Sequence, residues 1–386
     1  MVDFSGLKNL VVGAGFWGAV IAERLASQLN EKVVVIDKNR HPGGASWSEI
    51  DPETGIECHL YGSHIFHTSL ERVWDYVSKF TSFTNYRHRV LTTYRDRVYP
   101  LPVGLGLINA FYGLNLKPCE VPDFIRRETR GEKGPDDAAN LEEKAISLVG
   151  RPLYEAFIRG YTKKQWGRDP KDLPAEIISR LPVRTTWNLD YFDAIYQGVP
   201  AEGYGKFFER LLSNPRIDFF PGVDFYDIDC KIPEDCTVFF SGAIDRFFDY
   251  RYGSLEWRSL CFEFRTEPVS DFQGTSVMNY ADEAIPWTRV HEFKHFHPER
   301  ETKEGVTRLC TEYPSIWRGE KDSPYYPVND RRNGELFQKY AKAASRLKNV
   351  VPGGRLGSYR YCDMDRTVDD ALAAFEKHVA SRRERF

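Results

Sequence analysis

Three glycines, Gly13, Gly15 and Gly18, constrain what this chain can fold into more than any other feature. They follow Lys8-Asn9-Leu10-Val11-Val12, a short apolar run that reads as a buried strand, and they open a helical pattern, AVIAERLASQL. A second strand, Lys32-Val33-Val34-Val35-Ile36, ends at Asp37, 24 positions after Gly13. The G-x-G-x-x-G string alone says little. Placed between a strand and a helix, with an acid closing the next strand, it predicts a dinucleotide-binding unit. Missing side chains let the backbone approach a pyrophosphate, which the N–H groups and dipole of the following helix stabilise, and Asp37 is left to bind ribose hydroxyls.

That unit does not separate nicotinamide from flavin. The next stretch, Asp37-Lys38-Asn39-Arg40-His41-Pro42-Gly43-Gly44-Ala45-Ser46, sets a Gly-Gly pair just past the ribose acid. The pair resembles the second glycine motif of flavoproteins in the glutathione-reductase and amine-oxidase group, where the chain runs close beside an extended FAD. FAD is therefore the expected cofactor.

At 386 residues the chain exceeds the roughly 250–300 at which one core stops growing, so two or three domains are expected. Hydrophobic residues at 41% and charged residues at 28% exclude a disordered, collagenous or coiled-coil chain. From about Leu101 to Arg180 the pattern turns helical, broken by Pro and Gly. From Ser254 to Arg318 short aromatic and β-branched runs, such as LCFEFRTEP and VTRLCTEYP, read as antiparallel strands of a second sheet. After Pro352-Gly353-Gly354 a helix is expected from around Thr367, as if the chain returns to its first domain. The 53 Lys+Arg against 56 Asp+Glu leave a net charge of −3 with no basic block, so no nucleic-acid partner is expected. Seven cysteines, an odd number without a C-x-x-C pair, argue against a disulfide framework and for a reducing cytosol. No run approaches 18 apolar residues, so no membrane span is expected.

Two motifs are set aside. His291-Glu292-Phe293-Lys294-His295 spells H-E-x-x-H, which on a helix would gather two imidazoles around zinc. With Val290, Phe293 and Phe296 lying between Pro286 and Pro298, the segment reads as strand, where positions i and i+4 stand too far apart to chelate, and no metal is expected. Gly198 to Lys206 misses the phosphate-loop spacing and reads as a turn before a helix. His64 and His67, three apart in an aromatic segment, are more often structural. Tyr359 to Asp365 is dense in hydroxyls, cation and carboxylates ahead of the returning helix, and functional and structural readings both stay open there.

Beyond GAGFWGA, the chain carries YGSHIFHT from Tyr61, YTKKQWGRDPKDLP from Tyr161, SRLPVRTTWNLDYF from Ser179, YYPVN from Tyr325 and GGRLGSYRYCDMD from Gly353. In combination, from about Val11 to Asp370, these resemble the bacterial UDP-galactopyranose mutases, a family of flavoenzymes. The resemblance implies an α/β fold, α+β overall: a Rossmann-like FAD-binding domain from residues 1–80, 199–250 and 350–386, a helical domain at 100–180, and an antiparallel-sheet substrate domain from 81–99, 181–198 and 251–349. It implies that Phe157 and Tyr161, one helical turn apart on one face, form with Trp166 an aromatic pocket for uridine, with Asn279 contacting the base. Arg180 and Arg289 are implied to grip the diphosphate, with Tyr191, Tyr326 and Tyr361 supplying hydroxyls. Cofactor contacts are implied for Gly13, Gly15, Phe16, Trp17, Gly18, Asp37, Lys38, Gly44, Ala45, Ser46, Tyr61, Gly62, His64, Arg355, Asp363 and Met364. Catalytic roles are implied for Arg180, Arg289, His64 and Asp363. The two prolines between Trp166 and Arg180 predict a loop able to open and close. His88, in YRHRV, fits no pattern that can be placed.

The family interconverts UDP-galactopyranose and UDP-galactofuranose with no net redox change. The resemblance implies that N5 of reduced FAD attacks the galactose anomeric carbon, expels UDP and holds the open-chain sugar as a covalent adduct until it recloses through O4. No side-chain nucleophile is needed. The product would serve cell-surface polysaccharide synthesis from the cytoplasm. The alternative class is an FAD-dependent oxidase or dehydrogenase of an amine or nucleotide sugar, with net hydride stoichiometry; a non-catalytic UDP-sugar or flavin-binding module is a third. A homo-oligomer is left open.

Overall fold

The computed structural model describes residues 6–178, 183–228, 232–319 and 322–383. The two apolar runs form Asn9–Val12 and Val33–Asp37, parallel neighbours with every residue buried. A parallel sheet is covered on both faces, which is why these strands read as unbroken rather than alternating apolar runs. Five parallel strands stand in the order Val350–Pro352, Thr237–Phe240, Asn9–Val12, Val33–Asp37 and Ile217–Pro221. Three of them come from far downstream, so the sheet is assembled from distant segments. Helices Phe16–Gln28 and Met364–Arg383 share one of its faces, with Leu25, Phe239, Val368 and Phe375 in a common core. The last helix starts at Met364, ahead of the expected Thr367, because the Asp363 carbonyl accepts both the Thr367 N–H and its hydroxyl and so closes an extra turn.

The second sheet has seven strands, in the order Tyr326–Pro327, Trp257–Glu267, Thr307–Ile316, Arg289–Glu292, Val277–Tyr280, Val90–Tyr94 and Arg97–Leu101. Its pairs are antiparallel except one: Val277–Tyr280 runs parallel to Val90–Tyr94. The two belong to different antiparallel pairings. Val90–Tyr94 turns back on Arg97–Leu101 through Arg95 and Asp96, both at positive φ, while Val277–Tyr280 pairs with Arg289–Glu292. Where two such units dock side by side, no turn fixes their relative direction.

Register in this sheet matters for function. Asn279 lies opposite Arg289, Arg289 opposite Glu312, and Glu312 opposite Phe262, so four residues form one row on one face. The H-E-x-x-H segment leaves the sheet after Glu292 and makes a single 3₁₀ turn, Phe293–Phe296. A helical region packs against the Arg97–Leu101 end of the second sheet: Leu105–Tyr112, Val121–Glu128, Leu141–Val149 and a continuous stretch from Arg151 to Trp166 whose middle, Tyr154–Arg159, is π-helical. Leu105, Ile108, Phe124, Ile146 and Leu153 pack its core.

Candidate active site

The glycine turn builds one half of the site. Gly13 holds φ +94°, open to glycine almost alone, and its N–H bonds Ile36 O at 2.8 Å. Ala14 N–H and Asn39 N–H donate to the two oxygens of Asp37 at 2.7 and 2.8 Å, and burial nonetheless pushes that carboxyl above its usual pKa. Gly43, at φ +87°, bonds Ala14 O at 2.8 Å, laying the second glycine pair against the first turn.

Along this floor runs a continuous cavity. It is lined by Gly13, Gly15, Phe16, Trp17, Asp37 and Lys38, then Gly44, Ala45, Ser46, Tyr61 and His64, then Arg355 and Met364. Val223 and Phe225, which the sequence reading missed, extend it at the Asp37 end, where Val223 N–H bonds Asp37 O at 2.9 Å. A Cβ at Gly15 would meet no atom within 4 Å, so the space this glycine leaves open is not needed for packing and is free for a ligand. An extended dinucleotide fits this cradle. Three expected cofactor residues lie off the lining. Gly18 sits beneath the turn, where a Cβ would come within 1.9 Å of Gly13 O. Gly62 lies between the lining residues Tyr61 and His64, and Asp363 acts through its charge on Tyr361 and His67. His64 Nδ1 is 2.7 Å from Gly62 O and so donates to it; burial holds its pKa at about 4, leaving a neutral ring with Nε2 unprotonated.

The other half is made of side chains. Arg289 Nε donates to Tyr161 Oη at 2.8 Å, and its Nη1 stands 3.7 Å from Glu312 Oε2. Glu312 is 1% exposed; burial pushes its carboxyl up, but the Arg289 charge and the His291 hydrogen bond outweigh that and hold it at about 2. Burial raises the phenols of Tyr161, Tyr326 and Tyr361, so all three stay protonated. Because Tyr161 Oη accepts from Arg289, its own proton is available to a ligand. Tyr326 stacks on Tyr361 at 5.6 Å and meets Trp166 at 6.3 Å, and the Arg355 guanidinium lies 4.8 Å over Tyr361. This chain of rings joins the cleft to the cofactor cavity. Tyr191 acts electrostatically on Tyr161, Arg289 and Tyr326. Asn279 is 8% exposed and its Oδ1 has no partner among the described residues, an acceptor aligned with Arg289 across the sheet.

Phe157 departs from the expected stack. It sits on the π-helical turn, which breaks the four-residue alignment with Tyr161, and its ring packs among Tyr94, Tyr99 and Phe111 as core. Arg180 and the start of the SRLPVRTTWNLDYF segment lie outside the described residues. Three polar residues absent from the expected set belong here: Glu312, His291 and Ser63. An acid inside the apolar strand VTRLCTEYP was the one visible signal for Glu312, but its partner across the sheet was not.

The matched family description "UDP-galactopyranose mutase" covers residues 156–361, more than half the chain, and "NAD(P)-binding Rossmann-like domain" covers residues 11–80. The chain belongs to the UDP-galactopyranose mutase family. Among relatives of this mutase family, it is 40% identical to the dTDP-fucopyranose mutase of Escherichia coli over 98% of this chain and 100% of that one. It is also 40% identical to a probable UDP-galactopyranose mutase of Klebsiella pneumoniae, over 97% and 95%. The fold matches a crystal structure of reduced UDP-galactopyranose mutase with a TM-score of 0.73 at 15% identity, covering 98% of this chain and 94% of that one. As a mutase-family member the chain is an enzyme of the isomerase class, built on a dinucleotide-binding domain. Among the described residues no helix is long and apolar enough to cross a membrane.

Proposed function

We propose that this chain interconverts UDP-galactopyranose and UDP-galactofuranose, with FAD in the glycine-floored cavity in its reduced form. The observation that carries the reading is the row Asn279–Arg289–Glu312, which sets an unpartnered amide acceptor beside a guanidinium whose counter-charge is buried behind it. Asn279 Oδ1 suits the imide N–H of a pyrimidine base. Arg289 and the protonated Tyr161, Tyr326 and Tyr361 suit a diphosphate, because each offers a proton and none competes for one. When bound, the reduced flavin supplies the nucleophile for the anomeric carbon. The chain's own residues then hold the released nucleotide, orient the sugar above the cavity that His64 and Arg355 line, and keep water from the anomeric centre. Arg180 is assigned the second diphosphate contact and Asp363 a field effect on Tyr361. The six described cysteines are all free thiols, which supports a reducing, cytoplasmic setting.

A second substrate reading has a specific basis, the full-length identity to the dTDP-fucopyranose mutase. Uracil and thymine present the same imide N–H, so Asn279 does not choose between them. Dithionite-reduced enzyme offered UDP-galactofuranose and dTDP-fucofuranose in competition should convert the first with many turnovers per reducing equivalent. A preference for the second would reassign the substrate; one reducing equivalent consumed per product would remove the isomerase assignment.

A further inference from the structure

We propose that Ser63, His291 and Glu312 form a directed hydrogen-bond chain that keeps Arg289 free to grip the nucleotide diphosphate, which makes His291 a positioning residue of this enzyme. The inference rests on the substrate reading above. His291 was set aside as part of a failed zinc motif, and the fold gives it another use.

His291 is wholly buried, with Nδ1 2.5 Å from Ser63 Oγ and Nε2 3.2 Å from Glu312 Oε2. An ionised carboxylate has no proton to give, so His291 Nε2 must carry the hydrogen in that contact. With a single ring proton, on Nε2, Nδ1 accepts from the Ser63 hydroxyl, and both protons of the chain then point toward Glu312. Ser63 itself lies between Gly62, at φ +86°, and His64, which lines the cofactor cavity. The chain therefore runs from the cofactor loop to the carboxylate behind the substrate arginine.

Its effect follows from how Glu312 is shared. Oε1 accepts from Thr288 Oγ1 at 3.2 Å, and Oε2 faces both His291 and Arg289. At 3.7 Å the Arg289 contact is well beyond the roughly 2.7–2.9 Å of a charge-assisted hydrogen bond. His291 occupies Oε2, so the guanidinium is attracted without being captured. No solvent reaches this pocket to replace a lost N–H, since His291 is 0% and Glu312 1% exposed. Without His291, Arg289 should close onto Glu312, leave Tyr161 and withdraw from the ligand.

The test uses the FAD-loaded enzyme, with KM, kcat and the Kd of UDP measured by titration calorimetry. His291→Leu should raise KM and the UDP Kd about tenfold or more, the size expected for a hydrogen bond to a charged group, while kcat and flavin content change little. His291→Gln, which keeps an N–H for Glu312 and a carbonyl for Ser63, should recover most of the loss. Ser63→Ala should raise KM about two- to fivefold. The double variant Ser63→Ala with His291→Leu should be no worse than His291→Leu alone, because the chain is already broken. Equal damage from Gln and Leu, multiplying effects in the double variant, or an unchanged KM would each overturn the proposal. Should His291→Leu lose its flavin, the KM of Ser63→Ala decides. A wild-type enzyme that fails to bind UDP would instead defeat the substrate reading.

Discussion

The two halves of the site are built from different materials. The cofactor cradle is backbone: Gly13, Gly15, Gly43 and Gly44 lie against one another, and Asp37 is fixed by the N–H groups of Ala14 and Asn39. The substrate cleft is side chain: Asn279, Arg289 and Glu312 come from three strands and meet only because the strands pair in one register. The first half fails when a single methyl group is added. The second fails when a charge is removed or the register slips by one residue, which would turn the whole row to the opposite face. Geometry rules one half and electrostatics the other, so substitutions in the two halves should fail in different ways.

The largest expected effect lies in the cradle. A Cβ at Gly18 would stand 1.9 Å from Gly13 O and 2.9 Å from Val11 Cγ1, and a backbone oxygen in a closed turn has nowhere to go. Gly18→Ala should therefore purify colourless, with its FAD lost, while UDP affinity stays within about threefold of wild type because no cleft residue moves. Flavin absorbance and UDP titration on one sample check both halves. Loss of both together would break the contrast drawn here.

Arg289→Ala should show the opposite pattern. The flavin stays and the protein is yellow, but the charge-assisted contact to the diphosphate is lost, worth about 1.5–3 kcal/mol, or roughly 10- to 150-fold in kcat/KM; Glu312, left buried without its cation, lowers the stability of the fold as well. Arg289→Lys should restore only part, since a point charge lacks the fork that reaches Tyr161 and a phosphate together. Steady-state kinetics with flavin content measured alongside would expose a mixed effect, and a colourless Arg289→Ala would mean that the two halves are one unit.

The same contrast explains what the sequence could reveal. Gly13, Gly15, Asp37 and Gly43-Gly44 lie within one short stretch, so their spacing carries the turn and the strand ends directly. Val223 and Phe225 were invisible because they reach Asp37 only through a strand added beside it from far downstream. In the cleft, Arg289 was named by resemblance, yet Glu312, His291 and Ser63 escaped, since no local pattern says which strands pair or in what register. At Phe157 the four-residue spacing from Tyr161 suggested one helical face, whereas the residue sits on a π turn with its ring among Tyr94, Tyr99 and Phe111, and that turn leaves no mark in a hydrophobic pattern.

Acid should unfold the two halves through a shared layer. Burial holds His59 and His88 at about 3 and His64 at about 4, so the folded protein refuses protons that the unfolded chain accepts near pH 6.5. Stability should fall as pH drops below about 6.5, by at most about 1.4 kcal/mol per unit for each histidine. A second loss follows below about pH 4.5. Glu57 and Glu312 are both held at about 2, the first despite burial by His297 and Ser48, the second by Arg289 and His291. Their stabilisation is present above the unfolded pKa and disappears as pH falls through the folded one. Urea midpoints between pH 8 and 3 should show both stages, and a flat response from pH 7 to 5 would mean that these histidines already exchange protons with water.

Tyr161→Phe is the smallest and most discriminating change. It keeps the ring as an aromatic wall and removes one oxygen, which accepts from Arg289 Nε and offers its own proton to the cleft. Arg289 keeps 31% exposure, so its freed N–H can turn to water and no buried donor is stranded. What is lost is one hydrogen bond to a ligand, about 0.5–1.5 kcal/mol, or roughly 2- to 12-fold in KM and in the Kd of UDP, with kcat nearly unchanged. A loss confined to KM says that the hydroxyl binds the nucleotide. No change would mean that the proton points away from the ligand, and the direction assigned from Arg289 would be wrong. A fall in kcat of a hundredfold or more would place Tyr161 among the groups that move a proton during turnover, and the cleft would then act chemically rather than only as the electrostatic half of the site.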